Sequence, residues 1–234
     1  MIPGRGGEAV PRKTPNAKTA GRYAAQGPEA EFEPGSRGRV LRNLRGIRSA
    51  REMARAESRA LLDTQERLIK SFSVEHRFAA GDIREIHRIW LRSIYPWAGE
   101  YREVNIAKGD FHFAAAREVP RLMGEFEHHQ LAQYTPCRAA SETEIARALA
   151  VVHAELILIH PFREGNGRCA RLLALLMALQ AGLPPLDFTG LTGPGGRRYI
   201  AAIHAAMAGD YAPMSALFSA VIRRSSGRLA RRGR

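Results

Sequence analysis

The chain has 234 residues, 45% of them hydrophobic, and a formal net charge of +13. That length fits one domain with tails, and ordinary Gly and Pro content excludes a collagen-like or wholly disordered chain. Two cysteines without metal-type spacing exclude a disulfide framework, and no apolar run reaches spanning length or forms a secretory leader, so a cytoplasmic protein without a membrane partner is expected.

Residues 1–36 are rich in Gly, Pro, Ala and charge without apolar period, which predicts a flexible tail with a docked piece near Phe32. The charge is local: residues 37–59 hold eight Arg against two Glu, and 223–234 hold six Arg and no acid. Ser49 is a candidate N-cap for a helix over about 50–72. On it Arg48, Arg51, Arg55 and Arg59 recur at helical spacing, which reads first as a solvated face and second as a docking face for an acidic partner or nucleic acid. Asp82 caps an amphipathic helix through Ile83, Ile86, Ile89 and Trp90. The stretch Tyr101–Ile106 alternates, Ala107 to Asp110 can turn, and Phe111-His112-Phe113 resumes, which predicts a short hairpin. A helix follows at about 115–132, with His128 and His129 at its surface. Ser141-Glu142-Thr143-Glu144 is a capping box that opens a helix running to His160. After the segment 160–171 an apolar helix reaches Gly182, and two more helices fit 195–208 and 211–224. The fold class is therefore all-α with one short β-hairpin, with a domain over 37–224 and a basic tail over 225–234.

Residues 160–171 read His-Pro-Phe-Arg-Glu-Gly-Asn-Gly-Arg-Cys-Ala-Arg. Gly165 and Gly167 allow a tight turn at a helix start, where unpartnered N–H groups and the helix dipole favour an anion. Arg168 and Arg171 lie three apart on one helix face and can grip phosphate oxygens. Glu164 against a phosphate calls for a divalent cation, and Mg²⁺ takes one or two carboxylates with substrate phosphates. His160 has the ordinary pKa of a base near neutral pH. Together these parts describe attack of a hydroxyl on a nucleotide phosphorus; the spacing of a Walker loop is absent. Singly, each element has a bland reading as a surface histidine, a plain turn or a pair of solvated arginines. No structural need asks for all of them in order.

These residues resemble the signature of the Fic (filamentation induced by cAMP) domain, HPFx(D/E)GNGRxxR, at every fixed position. The likeness extends to Trp97-Ala98-Gly99-Glu100-Tyr101-Arg102, ahead of the family's flap hairpin, and to Val40–Ile47, covering roughly residues 23–224. The resemblance implies a Fic-type helical domain that transfers AMP from ATP, with Mg²⁺, to a Tyr, Thr or Ser hydroxyl of a target protein. It makes His160 the general base and Glu164 the residue that positions Mg²⁺. Gly165, Asn166 and Gly167 become an anion hole, with Arg168 at the β-phosphate and Arg171 at the γ-phosphate. Phe162 is implied as a core anchor, Tyr199 as an aromatic near the adenine, and Lys108, Gly109, Asp110 and Phe111 as the flap that clamps the target through an exposed strand edge. Members that phosphorylate carry Lys where this chain has Gly167. The family's inhibitory pattern, (S/T)xxxE(G/N), is absent from residues 1–60, and no Glu follows Glu164. Arg171 is thus expected to be unguarded, with inhibition left to a separate small antitoxin-like protein. Two rival readings stand: transfer of another nucleotide-borne group (UMP, phosphocholine or phosphate), and a non-catalytic basic interaction protein that touches nucleic acid only nonspecifically.

Overall fold

The computed structural model describes residues 24–26, 31–109, 111–191 and 196–232. Two long helices form its centre. The first, α5 (Glu142–Ile159), opens on the expected capping box: Ser141 Oγ accepts from Glu144 N, and Ser141 N donates to the Glu144 carboxylate. The second, α6 (Asn166–Gln180), follows after a six-residue turn. Both are apolar on nearly every face, because other helices cover them all round. Among the coverings are α7 (Gly196–Met207) and α8 (Ala212–Arg232) on one side, and α1 (Ala50–Ser71) and α2 (Ala80–Leu91) on the other. Helix α8 extends to Arg232, past the expected end at 224 and through part of the expected basic tail.

Helix α1 starts at the expected cap, where Ser49 Oγ accepts from Glu52 N. Helix α2 begins earlier than Asp82; that side chain turns back from the first turn and accepts from Ala79 N at 2.9 Å. The segment expected as one helix over 115–132 is broken. It comprises a 3₁₀ turn (Ala116–Glu118), α3 (Val119–Phe126), a π-helical turn (Glu127–Leu131) and α4 (Ala132–Tyr134). His128 and His129 are exposed on it, and so are Arg48, Arg51, Arg55 and Arg59 around α1.

A small antiparallel sheet completes the fold, in the order β1 (Ala24–Gln26), β2 (Asn105–Lys108) and β3 (Phe111–His112). Strand β2 is shorter than the alternation over 101–106 predicts. Tyr101 to Val104 are diverted to other contacts: Arg102 N donates to Pro161 O at 2.8 Å. Strand β1 pairs with β2, with Ala25 opposite Ile106, so the outer edge of β2 is already taken by this chain's own backbone. The expectation of an exposed hairpin edge therefore fails on that side. Nearby, the piece around Phe32 docks by a bridge to Leu41. Among the described residues, no helix is long and apolar enough to cross a membrane.

Candidate active site

The turn between α5 and α6 brings the predicted residues 160–171 together. Helix α5 ends at His160, whose backbone is left-handed at φ 53°. This sharp stop turns the chain into Pro161 and Phe162. Phe162 is fully buried and stacks on His87 at 3.8 Å and 9°. Asn166 closes the turn: its Oδ1 accepts from Phe162 N and its Nδ2 donates to Phe162 O, both at 2.8 Å. Gly165 sits at φ 89°, and a Cβ there would lie 2.6 Å from Trp90 Cζ3, so only glycine fits. The N-terminus of α6 thus opens onto the turn, and the positive end of a helix favours an anion there.

His160 is almost wholly buried. Its Nδ1–H donates to Ile157 O at 3.0 Å, which leaves the basic lone pair on Nε2. Burial pushes its pKa down to about 3, aided by the charges of Arg102 and Lys108, so the imidazole is neutral at neutral pH. Phe113, just beyond β3, stacks on it at 3.7 Å. Phe111 packs edge-on against Phe113 and stacks on His204 of α7 at 5.4 Å, so the hairpin leans across from the imidazole to α7.

Glu164 lies beside the α6 start, where its Oε1 accepts from Gly165 N at 2.9 Å and stands 3.5 Å from Arg168 Nη2. No group of three or more His, Cys, Asp or Glu that could cage a metal exists among the described residues. One carboxylate at a phosphate-binding helix start nevertheless fits Mg²⁺, which draws most of its ligands from phosphate and water.

The two arginines have different surroundings. Arg168 Nη1 donates to Glu57 Oε2 at 2.8 Å, and its guanidinium lies over the Trp90 ring at 4.6 Å. A carboxylate therefore does pair with a motif arginine, but with the first one, and it comes from α1 outside the inhibitory pattern, with Met53 four residues earlier. Arg171 lies by Gly167, with its Nη1 3.5 Å from where a Cβ there would stand. Its charge also helps to lower the pKa of His153 on α5, which burial alone depresses most, to about 3. His153 Nε2 in turn meets Tyr199 OH at 2.8 Å, tying Tyr199 of α7 to the site's floor.

Lys108 ends β2, Gly109 turns at φ 60°, and Phe111 begins β3, as the hairpin expectation requires. Asp110 lies outside the described residues.

Three residues that the sequence did not single out hold this arrangement. Glu57 accepts from Tyr95 OH at 2.7 Å as well as from Arg168, and its backbone oxygen accepts from Trp90 Nε1. His87 accepts from Gly99 N at 2.8 Å through Nδ1, so its Nε2–H donates to Glu164 O at 3.1 Å. Burial lowers its pKa to about 4 and keeps it neutral. Arg102, also buried, reaches the backbone carbonyls of the hairpin stem and of His160. The available signal was a polar residue on an otherwise apolar helical face: His87 lies between Ile83, Ile86 and Trp90. Distance in sequence hid the partners.

The Fic/DOC family model matches residues 77–178. Protein adenylyltransferase VbhT of Bartonella schoenbuchensis is 30% identical over 143 residues, which cover 61% of this chain and 30% of that protein. Probable protein adenylyltransferase y4lH of Sinorhizobium fredii is 29% identical over 182 residues, covering 76% and 88%. The chain spans less than a third of VbhT but most of y4lH. The crystal structure of BepC of Bartonella tribocorum, with bound AMPPNP, shares the fold, with a TM-score of 0.63 at 24% identity over 77% of this chain and 91% of that one.

Proposed function

We propose that this chain, whose residues 77–178 match the Fic/DOC family model, is a protein adenylyltransferase. It moves AMP from Mg-ATP to a Tyr, Thr or Ser hydroxyl of a target protein. The observation that carries this reading is the tautomer of His160 at the mouth of the α6 N-terminus. Its Nδ1–H is committed to Ile157 O, so Nε2 is the atom that accepts a proton, in the same turn that leads into the α6 N-terminus.

The target O–H gives its proton to His160 Nε2, and its oxygen bonds to the α-phosphorus. The bond from that phosphorus to the α,β-bridging oxygen breaks, and pyrophosphate leaves with that oxygen. Asn166 and Gly167 present backbone N–H groups to the phosphates, and Gly165 N–H joins them when Glu164 Oε1 leaves it for the cation. Arg171 grips the γ-phosphate end, and Arg168, held by Glu57, turns its remaining N–H groups toward the β-phosphate region. Glu164 would hold the Mg²⁺, which neutralises charge on the phosphates when bound. Tyr199, oriented by His153, faces the base. Lys108, Gly109, Asp110 and Phe111 form the flap that clamps the target.

The same reading extends to partners and setting. A cytoplasmic, toxin-type role with a small antitoxin-like inhibitor fits a sequence in which the inhibitory pattern (S/T)xxxE(G/N) is absent from residues 1–60 and no Glu follows Glu164. Nucleic acid is expected to bind only nonspecifically, through the arginine-rich face around α1 and the end of α8.

The test is a lysate incubated with Mg²⁺ and α-labelled ATP, beside His160→Ala. Label on proteins that is lost in the variant supports AMP transfer. Label from γ-labelled ATP alone would identify a kinase, and no transfer with retained nucleic-acid binding would identify the basic interaction protein.

A further inference from the structure

Arg102 is 2% exposed, yet it carries a full charge. Its Nε–H donates to His160 O at 2.7 Å. Nη1 donates to Val104 O at 2.8 Å, where the chain enters β2. Nη2 donates to Ala114 O, where the chain leaves the hairpin, and also reaches Ile159 O at 3.5 Å. Its own backbone N–H donates to Pro161 O. One residue thus joins both stems of the flap to the last carbonyls of α5.

Those carbonyls belong to a helix end, where four C=O groups lack intrahelical partners and the dipole favours a cation. The left-handed turn at His160 points its carbonyl away from the helix axis, and Arg102 receives it. The planar guanidinium matches this arrangement because its five N–H groups leave in several fixed directions. A lysine ammonium is a single point and cannot reach His160, Val104 and Ala114 together.

We propose that Arg102 is a positioning residue that sets the flap and the His160 imidazole in one register, so that a clamped hydroxyl arrives at Nε2. The proposal rests on the transfer reading above for its consequence, but its structural content stands on the hydrogen bonds alone. The bonds of Arg102 to the backbone carbonyls of His160, Val104 and Ala114 set the flap against the end of α5, so on this proposal it acts on the approach of the target and leaves nucleotide binding intact.

The experiment compares the full chain with Arg102→Lys. Three readouts are taken: backbone amide exchange, affinity for AMPPNP, and protein labelling in a lysate. The expected result is exchange about tenfold faster over residues 105–113, with α1 and α8 unchanged. AMPPNP affinity stays within about threefold while labelling falls by about 30-fold or more, a loss in the transition state and not in nucleotide binding. In the wild-type chain the Arg102 Nε–H proton is expected to exchange slowly in NMR spectra, and this holds the proposal to account even if the variant fails to fold. Unchanged flap exchange, a rapidly exchanging Nε–H, or AMPPNP affinity that falls in step with labelling would overturn it. If the wild-type chain labels no protein, the transfer reading fails, while the exchange and Nε–H measurements still decide whether Arg102 positions the flap.

Discussion

The turn from His160 to Arg171 and the hairpin from Val104 to Ala114 face each other across the site, yet they are held in opposite ways. The turn is fixed from its own sequence and from behind. Asn166 bonds both backbone groups of Phe162, Gly165 abuts Trp90, and His87 holds Glu164 O. The hairpin has two strands of four and two residues, and a Cβ added at its Gly109 would meet nothing within 4 Å. It is held at its stem by Arg102 and on its flank by Phe113 against His160 and by Phe111 against His204. A turn fixed along its whole length beside a hairpin held at its stem and flank suits the proposed reaction, with one constant substrate and one macromolecular one. Phosphates need donors fixed beforehand, whereas a target segment needs a clamp that can open.

The contrast can be broken first with pH. Burial holds the pKa of His87 at about 4 and those of His153 and His160 at about 3. Unfolded, each binds a proton near pH 6.5, so the unfolded state takes up more protons as pH falls from 6.5 toward 3, and stability drops. Each imidazole contributes about 1.4 kcal/mol per pH unit, so three together remove about 4 kcal/mol one unit below 6.5. Denaturant titrations at pH 7 and 5.5 measure this. Equal midpoints would show that these histidines do not sit buried and neutral around the turn.

Gly165→Ala is the next largest effect. Its Cβ would lie 2.6 Å from Trp90 in a left-handed backbone, and a loss of about 3 kcal/mol is expected from the overpacking and strain. Thermal unfolding reads it. Glu57→Gln weakens the tie to Arg168 while leaving a polar group for Tyr95, with a loss of about 2 kcal/mol. AMPPNP affinity should fall with it, because Arg168 then swings free of its place beside Glu164. Unchanged stability and affinity would mean that α1 merely covers the turn. Gly109→Ala is the smallest, at about 1 kcal/mol or less, since its φ of 60° is strained for alanine but nothing crowds the site. A loss as large as that of Gly165→Ala would erase the distinction between the two regions.

Much of this was legible in the chain. The capping boxes and apolar periods located α1, α2, α5 and α6, because local hydrogen bonds and burial of one face set those boundaries. The motif located the turn, because Asn166 acts on Phe162 four residues away and the left-handed backbone of Gly165 is a local requirement. The segment 115–132 was less legible: its apolar period continues through the π-helical turn, which changes hydrogen bonding and not composition. Strand β2 was overextended because Arg102 and Val104 alternate like strand residues while Arg102 is engaged with the end of α5.

By itself the sequence determined the helical class and the position of the turn, since both depend on contacts within a few residues, and it marked His160 and residues 164–171 as the candidates for base and phosphate grip. Tertiary structure decided what surrounds them. Glu57 reaches Arg168 across 111 residues, Arg102 reaches His160 across 58, and residues 24–26 close the outer edge of β2. Pairings between distant residues leave no spacing to read, because chain folding and not chain order brings their atoms within hydrogen-bond distance. The proton position on His160, by contrast, is a local matter, set by the end of α5, which places Ile157 O three residues back within reach of Nδ1–H.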